Sequence, residues 1–351
     1  MKKVNVLIAS RLDLHPGYPD EIAAVDPRVS AKDGLPALVA ELKKKGVTGV
    51  NLERLAAQAG PIYNPKEDMD ALLAEAEVVF GTIIFPDNMY KRAPNLKWVH
   101  IANVGVDRFL GGELFDGKAT ITNSRGGLAT PIAEHVLTFM LMLAQNAPRL
   151  MANKQKRQWD RFNTMEIWDR TVGIIGMGAI GNEIIRLTRG VGMRVVATRR
   201  SATKREAGKD GVDMVFPVNE LPDMLHECDF VVIAAPLTNE TRHMISDAQF
   251  KAMKPSSYII NIGRGPIIDE PALIRALKEG RIAGAGLDVF ETEPLPVESE
   301  LWGMPNVLIS SHGAGVSDRR SQRLVKMFCD NLKRYVNGQE LFNVVTRDKA
   351  Y

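Results

Sequence analysis

Cysteine is scarce in this chain. Cys228 and Cys329 are the only two among 351 residues, and they lie too far apart for the paired spacing of a thiolate metal site or a disulfide framework. No metal is expected, and a reducing, cytoplasmic setting suits the thiols. Net charge is nearly absent too. Lys and Arg total 45 against 42 Asp and Glu, leaving +3, so neither nucleic acid nor a membrane surface is an expected partner. No apolar run is long enough to cross a bilayer. The longest, His135–Ala144 with Thr138 inside it, falls well short of about 20 residues. A secretory leader is not expected, because the apolar run behind Met1-Lys2-Lys3 is interrupted at Asn5 and closes at Arg11 and Asp13.

What is present suits a soluble globular protein of more than one core. Hydrophobic residues make up 45% of the chain and charged residues 25%, enough to build cores and too apolar for wholesale disorder. The length exceeds what one core usually serves, so two domains are expected. In the first part, short apolar runs at Val4–Ser10, Glu77–Gly81, Trp98–Ala102 and Ala119–Asn123 alternate with amphipathic stretches such as Leu35–Lys45. That alternation predicts an α/β fold with a mostly parallel sheet. Pro131–Ala147 reads as one helix leading out of the first domain, followed by a polar stretch at Asn153–Arg161. A second α/β series starts at Thr171, with strands expected at Val172–Gly176, Arg194–Thr198, Asp229–Ala235, Ser257–Ile262 and Ala283–Asp288. Five strands in βα alternation predict a doubly wound sheet. Asn306–Ser310 is a further strand candidate, and Ser317–Val336 carries Leu324, Val325, Phe328, Leu332 and Tyr335 at helical spacing.

Gly176-Met177-Gly178-Ala179-Ile180-Gly181 is a G-x-G-x-x-G turn. Alone the pattern is weak, but here an apolar strand feeds it and a helical segment leaves it, as a dinucleotide pyrophosphate requires. Gly176 permits the tight turn, Gly178 the approach of phosphate, and Gly181 the packing of helix on strand. At the end of the second strand an NAD site usually offers a carboxylate to the ribose hydroxyls. This chain has Thr198, Arg199, Arg200 and Ser201 there instead, with Lys204 and Arg205 behind. A guanidinium suits a 2′-phosphate, so NADP is expected over NAD, with NAD still possible.

Three later segments each end an apolar run in polar residues: Asn261-Ile262-Gly263-Arg264-Gly265, Asp288 to Pro294, and Ser311-His312-Gly313-Ala314-Gly315. With Val104-Gly105-Val106-Asp107, Ile132-Ala133-Glu134-His135, Pro236-Leu237-Thr238 with Thr241, and Glu293-Pro294-Leu295-Pro296 running to Leu301-Trp302, they make the chain resemble the D-isomer-specific 2-hydroxyacid dehydrogenase family along almost its whole length. The resemblance implies two doubly wound domains. Residues 1–126 and 316–351 would form a discontinuous substrate domain, and 127–315 the dinucleotide domain, with the cofactor domains pairing into a homodimer.

The resemblance also implies roles. Arg264 would grip the carboxylate and 2-oxo oxygen of a small oxo acid, and the backbone N–H groups at Val104 and Gly105 would hold the carboxylate. His312 would protonate the carbonyl oxygen, with Glu293 orienting its ring and favouring its charged form. Ile262, Asp288 and Ala314 would meet the nicotinamide end of the cofactor, near Arg264 and His312, while Pro236 and Thr241 would lie beneath it. The implied activity is reduction of glyoxylate, hydroxypyruvate or a similar 2-oxo acid to a D-2-hydroxy acid. A nucleotide-sensing protein of corepressor type is the alternative on the same fold.

Departures from the family pattern narrow this. Ser311 stands where proline commonly precedes the histidine, and Gly313 replaces a bulkier residue, so a looser loop is expected. Glu293 disfavours formate dehydrogenase chemistry, where glutamine stands, and Val104 disfavours phosphite dehydrogenase, where lysine stands. His15, His100, His226 and His243 show no proton-relay partner in the sequence, and His135 is expected to pack beside the helix that carries it. Tyr63, Phe85 and Trp302 are candidates for either core or substrate pocket.

Overall fold

A computed structural model describes residues 3–9, 17–49, 52–53, 56–57, 68–82, 84–106, 109, 112–208 and 210–346. His15, Tyr63 and Asp107 lie outside the described residues. The chain divides into two compact units, one made of residues up to Leu128 together with those from Ser317 onward, the other of Ala129–Val316.

Unit 1 is built on strands β1 (Val4–Ile8), β2 (Val29–Asp33), β3 (Val78–Gly81), β4 (Trp98–Ile101) and β5 (Thr120–Asn123). They form a sheet in the order β2-β1-β3-β4-β5, and every pairing is parallel. β3 and β4 are buried at every position, which is why they read as unbroken apolar runs in the sequence. Helices α1 (Tyr18–Ala23), α2 (Leu35–Lys44), α3 (Met69–Glu75) and α4 (Met89–Arg92) lie between them in sequence. The last helix of the chain, α11 (Arg320–Val336), returns to this unit. Its buried Leu324, Val325, Phe328 and Leu332 form one stripe at helical spacing. Phe328 packs against Phe80, ring centroids 4.7 Å apart, and against Trp98 at 5.1 Å.

Unit 2 opens with α5 (Ala129–Ala144) and α6 (Ala147–Lys156). The helix expected over Pro131–Ala147 is α5, which ends at Ala144 before Asn146 adopts a left-handed backbone at φ +51, and the unforeseen α6 takes in part of the stretch expected to be polar linker. The strands are β6 (Thr171–Ile175), β7 (Arg194–Thr198), β8 (Glu206–Ala207), β9 (Met214–Phe216), β10 (Phe230–Ile233), β11 (Tyr258–Asn261), β12 (Gly284–Leu287) and β13 (Val307–Ile309). Their order is β13-β12-β11-β10-β6-β7-β9-β8. The β8–β9 pairing alone among these is antiparallel. Helices α7 (Ala179–Gly190), α8 (Leu221–Glu227), α9 (Asp247–Ala252) and α10 (Glu270–Lys278) complete the unit. The doubly wound parallel α/β architecture expected from the alternation is therefore present. β2, β8 and β9 were not foreseen: β2 and β8 have half-exposed polar positions and too few apolar residues to show a period, and β9, though apolar, is only three residues long. No helix of the described residues is long and apolar enough to cross a membrane.

Candidate active site

In unit 2 the chain leaves the fully buried β6 and turns at Gly176, whose φ of +102 suits glycine. A Cβ there would stand 2.9 Å from the Ala235 nitrogen, and one on Gly181 would stand 2.1 Å from the Gly176 carbonyl oxygen. The first and third glycines are therefore demanded by packing. A Cβ on Gly178 would meet nothing within 4 Å. Gly178 is the N-cap of α7, and no side chain caps that helix. Ala179 and Ile180 form its first turn, so free N–H groups face an open cradle, which fits a pyrophosphate.

β7 ends at Thr198, next to β6, and delivers Arg199. The structure engages this guanidinium internally: Nη1 donates to Asp210 at 2.6 Å and Nη2 to Glu206 at 2.7 Å, while its buried Nε and the buried Thr198 hydroxyl have no partner among the described residues. Glu206 opens the unforeseen β8, so the sequence reading saw the arginines without their counter-ions. Arg200 and Ser201 are exposed, and the charge of Arg200 reaches Glu240, helping to hold that carboxyl below its ordinary range after the larger effect of the Thr238 hydroxyl. After β10, the Thr241 hydroxyl donates to the Pro236 carbonyl at 2.8 Å and accepts from the Thr238 N–H at 2.8 Å, closing a compact loop.

The three chemical side chains leave three neighbouring strands. Asn261, Leu287 and Ile309 are cross-strand partners at the ends of β11, β12 and β13, and Arg264, Glu293 and His312 follow them. Past β11 comes the buried Ile262. The Asn261 side chain then wraps the turn, accepting from Gly263 N–H at 3.1 Å and donating to the Arg264 carbonyl at 3.0 Å. Gly265 lies so close to Phe290 that a Cβ would fall 1.8 Å from the Phe290 carbonyl oxygen. This contact lays the chain after Arg264 against the segment that carries Glu293. One Glu293 oxygen accepts the Phe290 N–H at 3.1 Å, and the other is 2.7 Å from His312 Nδ1. His312 itself sits at φ +52, a left-handed conformation that costs a non-glycine residue about 1–3 kcal/mol. Its ring is half-exposed and Nε2 has no partner among the described residues.

The loop around His312 is not loose, contrary to expectation. Asp288 is 2% exposed; its carbonyl accepts the His312 N–H at 2.8 Å, and its carboxylate accepts the N–H groups of Gly313 at 2.8 Å and Ala314 at 3.1 Å. Glycine at 313 therefore removes a side chain without freeing the backbone. Two further histidines have partners that the sequence did not suggest. His243 Nε2 is 2.6 Å from Glu291, and His135 Nε2 is 3.0 Å from the Ser310 hydroxyl.

In unit 1, the loop after β4 carries Val104 and Gly105. Asn103 donates to the Thr82 carbonyl at 2.8 Å and accepts from Arg320 at 3.0 Å, while Asn123 donates to the Val104 carbonyl at 2.8 Å. The backbone N–H groups of Val104 and Gly105 donate to no group among the described residues. Asn103, Asn123 and Arg320 were missed, since nothing in one sequence links positions 217 apart. Phe85 packs edge-on to Phe109 in the core of unit 1, whereas Trp302 in unit 2 is 54% exposed. Among the described residues no group of three or more His, Cys, Asp or Glu could hold a metal ion.

Residues 137–314 match the family model described as D-isomer specific 2-hydroxyacid dehydrogenase, NAD binding domain. The chain belongs to this family. It is accordingly a nicotinamide-dependent oxidoreductase. Among its relatives, a glyoxylate reductase of Korarchaeum cryptofilum is 34% identical over 74% of this chain and 79% of its own. A D-3-phosphoglycerate dehydrogenase of Methanocaldococcus jannaschii is 32% identical over 80% of this chain, which spans about half (53%) of that protein's length. A D-isomer specific 2-hydroxyacid dehydrogenase from Xanthobacter autotrophicus Py2, solved with NADPH and MES, superposes with a TM-score of 0.77 at 26% identity, covering 100% of both chains.

Proposed function

We propose that this dehydrogenase reduces small 2-oxo acids, glyoxylate and hydroxypyruvate among them, to D-2-hydroxy acids, with NADPH the favoured coenzyme. Unit 2 is the dinucleotide-binding domain in this reading and unit 1 the substrate domain. The observation that carries it is the 2.7 Å contact between Glu293 and His312 Nδ1, which leaves Nε2 as the atom that can hand over a proton.

Gly176 to Gly181 and the first turn of α7 would hold the pyrophosphate, Thr198 to Ser201 the adenosine ribose, Pro236 and Thr241 the underside, and Ile262, Asp288 and Ala314 the nicotinamide. When bound, the nicotinamide supplies a hydride to C2 of the oxo acid. Arg264 grips the carboxylate and the 2-oxo oxygen with a planar fork of donors. In unit 1, the N–H groups of Val104 and Gly105, which donate to no group among the described residues, would be donors for a carboxylate oxygen. His312 delivers a proton from Nε2 to the carbonyl oxygen as negative charge develops there, and takes it back in the oxidative direction. Glu293 holds the ring by its contact with Nδ1. NADPH is favoured by the two arginines that follow β7, of which Arg199 is also engaged by Asp210 and Glu206, and the NADPH complex of the Xanthobacter relative supports the same coenzyme.

A homodimer fits the surface of unit 2. Met151 is 58% exposed and Trp159 92%, with Leu141 and Leu150 also exposed on α5 and α6, apolar area of the kind that subunits cover.

The test is steady-state oxidation of NADPH and NADH against a panel of 2-oxo acids. Turnover with NADPH that disappears in His312→Ala is expected. Tight NADPH binding with no acid reduced would overturn the enzymatic reading in favour of a nucleotide sensor.

A further inference from the structure

The buried Asp288 carboxylate receives more than the two loop amides. Its Oδ1 also accepts the Ser310 hydroxyl at 2.6 Å. A hydroxyl that donates its one hydrogen to a carboxylate can only accept at its other contact. The 3.0 Å contact between Ser310 Oγ and His135 Nε2 therefore fixes the tautomer of His135: Nε2 carries the hydrogen and donates. The His135 ring is held in turn on α5, its centroid 4.3 Å from the Phe139 ring. A continuous chain of donors thus runs from His135 Nε2–H through Ser310 O–H to Asp288, and Asp288 binds the backbone on both sides of the His312 side chain: its carbonyl takes the His312 N–H and its carboxylate the N–H groups of Gly313 and Ala314.

This wiring answers a problem that the Glu293 contact leaves open. Glu293 holds the His312 ring, but the backbone of His312 is left-handed at φ +52, and such a residue relaxes unless its surroundings over-determine it. Gly313 has no side chain to hold the loop from outside. Among the described residues the Asp288 carboxylate is the group that accepts both amides, and Ser310 adds a third donor to it.

We propose that Ser310 and His135 are positioning residues of the reduction, acting through Asp288 to keep His312 in its strained, productive backbone conformation. Neither needs to touch the substrate. The inference rests on His312 being the proton donor of the proposed reaction, and it assigns work to two side chains on β13's exit and on α5 that the proton transfer itself does not use.

Four variants test it. Ser310→Ala removes the link and Ser310→Thr restores a hydroxyl; His135→Phe keeps the ring packing on Phe139 without a donor, and His135→Gln restores a donor. The expected result is a kcat for the 2-oxo acid about 10- to 100-fold lower in Ser310→Ala and about 3- to 10-fold lower in His135→Phe. KM for acid and coenzyme should change less than about threefold, and Ser310→Thr and His135→Gln should recover most of the rate. Amide hydrogen exchange gives a second readout that needs no substrate: the Gly313 and Ala314 amides should exchange at least about tenfold faster in Ser310→Ala, with Val231 in the core strand β10 unchanged. Unchanged kcat in both disrupting variants, or unchanged exchange at 313 and 314, would overturn the inference. If wild-type protein reduced no 2-oxo acid, the functional reading would fall by itself, while the exchange measurement would still decide whether Ser310 fixes the loop.

Discussion

His100 in unit 1 and His312 in unit 2 use the same side chain in opposite ways. His100 is on β4, fully buried, stacked on Phe80 with centroids 5.7 Å apart and tilted against Phe328 at 5.3 Å. Its ring nitrogens meet only hydroxyls, Thr122 at 2.8 Å and Ser124 at 3.1 Å. Burial pushes its pKa down to about 3. His312 is half-exposed, paired with a carboxylate and carried on strained backbone. An imidazole surrounded by rings and hydroxyls is held neutral and serves as packing; His312 gives one ring nitrogen to Glu293 and leaves the other without a partner among the described residues. The partner, more than the residue type, decides the role.

Breaking the reactive half of this contrast should have the largest effect. His312→Ala should lower kcat about 10²- to 10⁴-fold, the usual worth of a general acid, while NADPH binding measured by fluorescence stays within a few-fold. Breaking the packed half should instead show in stability. Phe328→Ala removes the ring that touches His100, Phe80 and Trp98 together, and should cost about 3–5 kcal/mol in urea unfolding with little change in the kcat of the protein that remains folded.

A third measurement sharpens the comparison through pH. Because the folded-state pKa of His100 lies far below the ordinary value of about 6.5, the unfolded chain binds a proton that the folded protein refuses between about pH 3 and 6.5. The stability from neutral His100 is therefore complete above about pH 6.5 and falls as the pH drops below it, by up to about 1.4 kcal/mol per unit. His100→Gln should flatten that slope between pH 6.5 and 5 in urea titrations. A slope that persists unaltered would assign the acid sensitivity elsewhere.

The smallest effect is expected at the coenzyme end, where Arg199 is held by its own carboxylates and would also meet the 2′-phosphate of the proposed NADPH. Glu206→Gln frees one donor pair and should tighten NADPH about 3- to 10-fold with NADH unaffected. Weaker NADPH binding would show that Glu206 holds Arg199 ready instead of competing for it.

Much of this was legible in one dimension. Gly176, Gly178 and Gly181 show as one six-residue motif directly between the apolar run of β6 and the start of α7, so they could be read from the sequence, although the clash that demands Gly176 comes from the distant Ala235. The strands buried on both faces, β4, β6 and β10, show as apolar runs. What escaped was nonlocal or sparse: the short β8 that brings Glu206 to Arg199, the Asn146 break between α5 and α6, and the meetings of His135 with Ser310 and of Arg320 with Asn103. Hydrogen bonds between residues far apart in the chain leave no period and no spacing to read. Glu293 and His312 were legible only through resemblance, since a carboxylate and an imidazole 19 positions apart have no motif of their own.

The excursion of the chain into unit 2 at Ala129 and its return at Ser317 carry a consequence for synthesis. Unit 2 is one uninterrupted segment and can collapse as soon as it clears the ribosome. Unit 1 begins first and finishes last, because the hydrophobic faces around Phe80 and Trp98 wait for Phe328, which is translated only after all of unit 2. The usual order of nascent domains is thereby inverted. The first-made sheet waits through the synthesis of unit 2 with the apolar side that Phe328 will cover still uncovered.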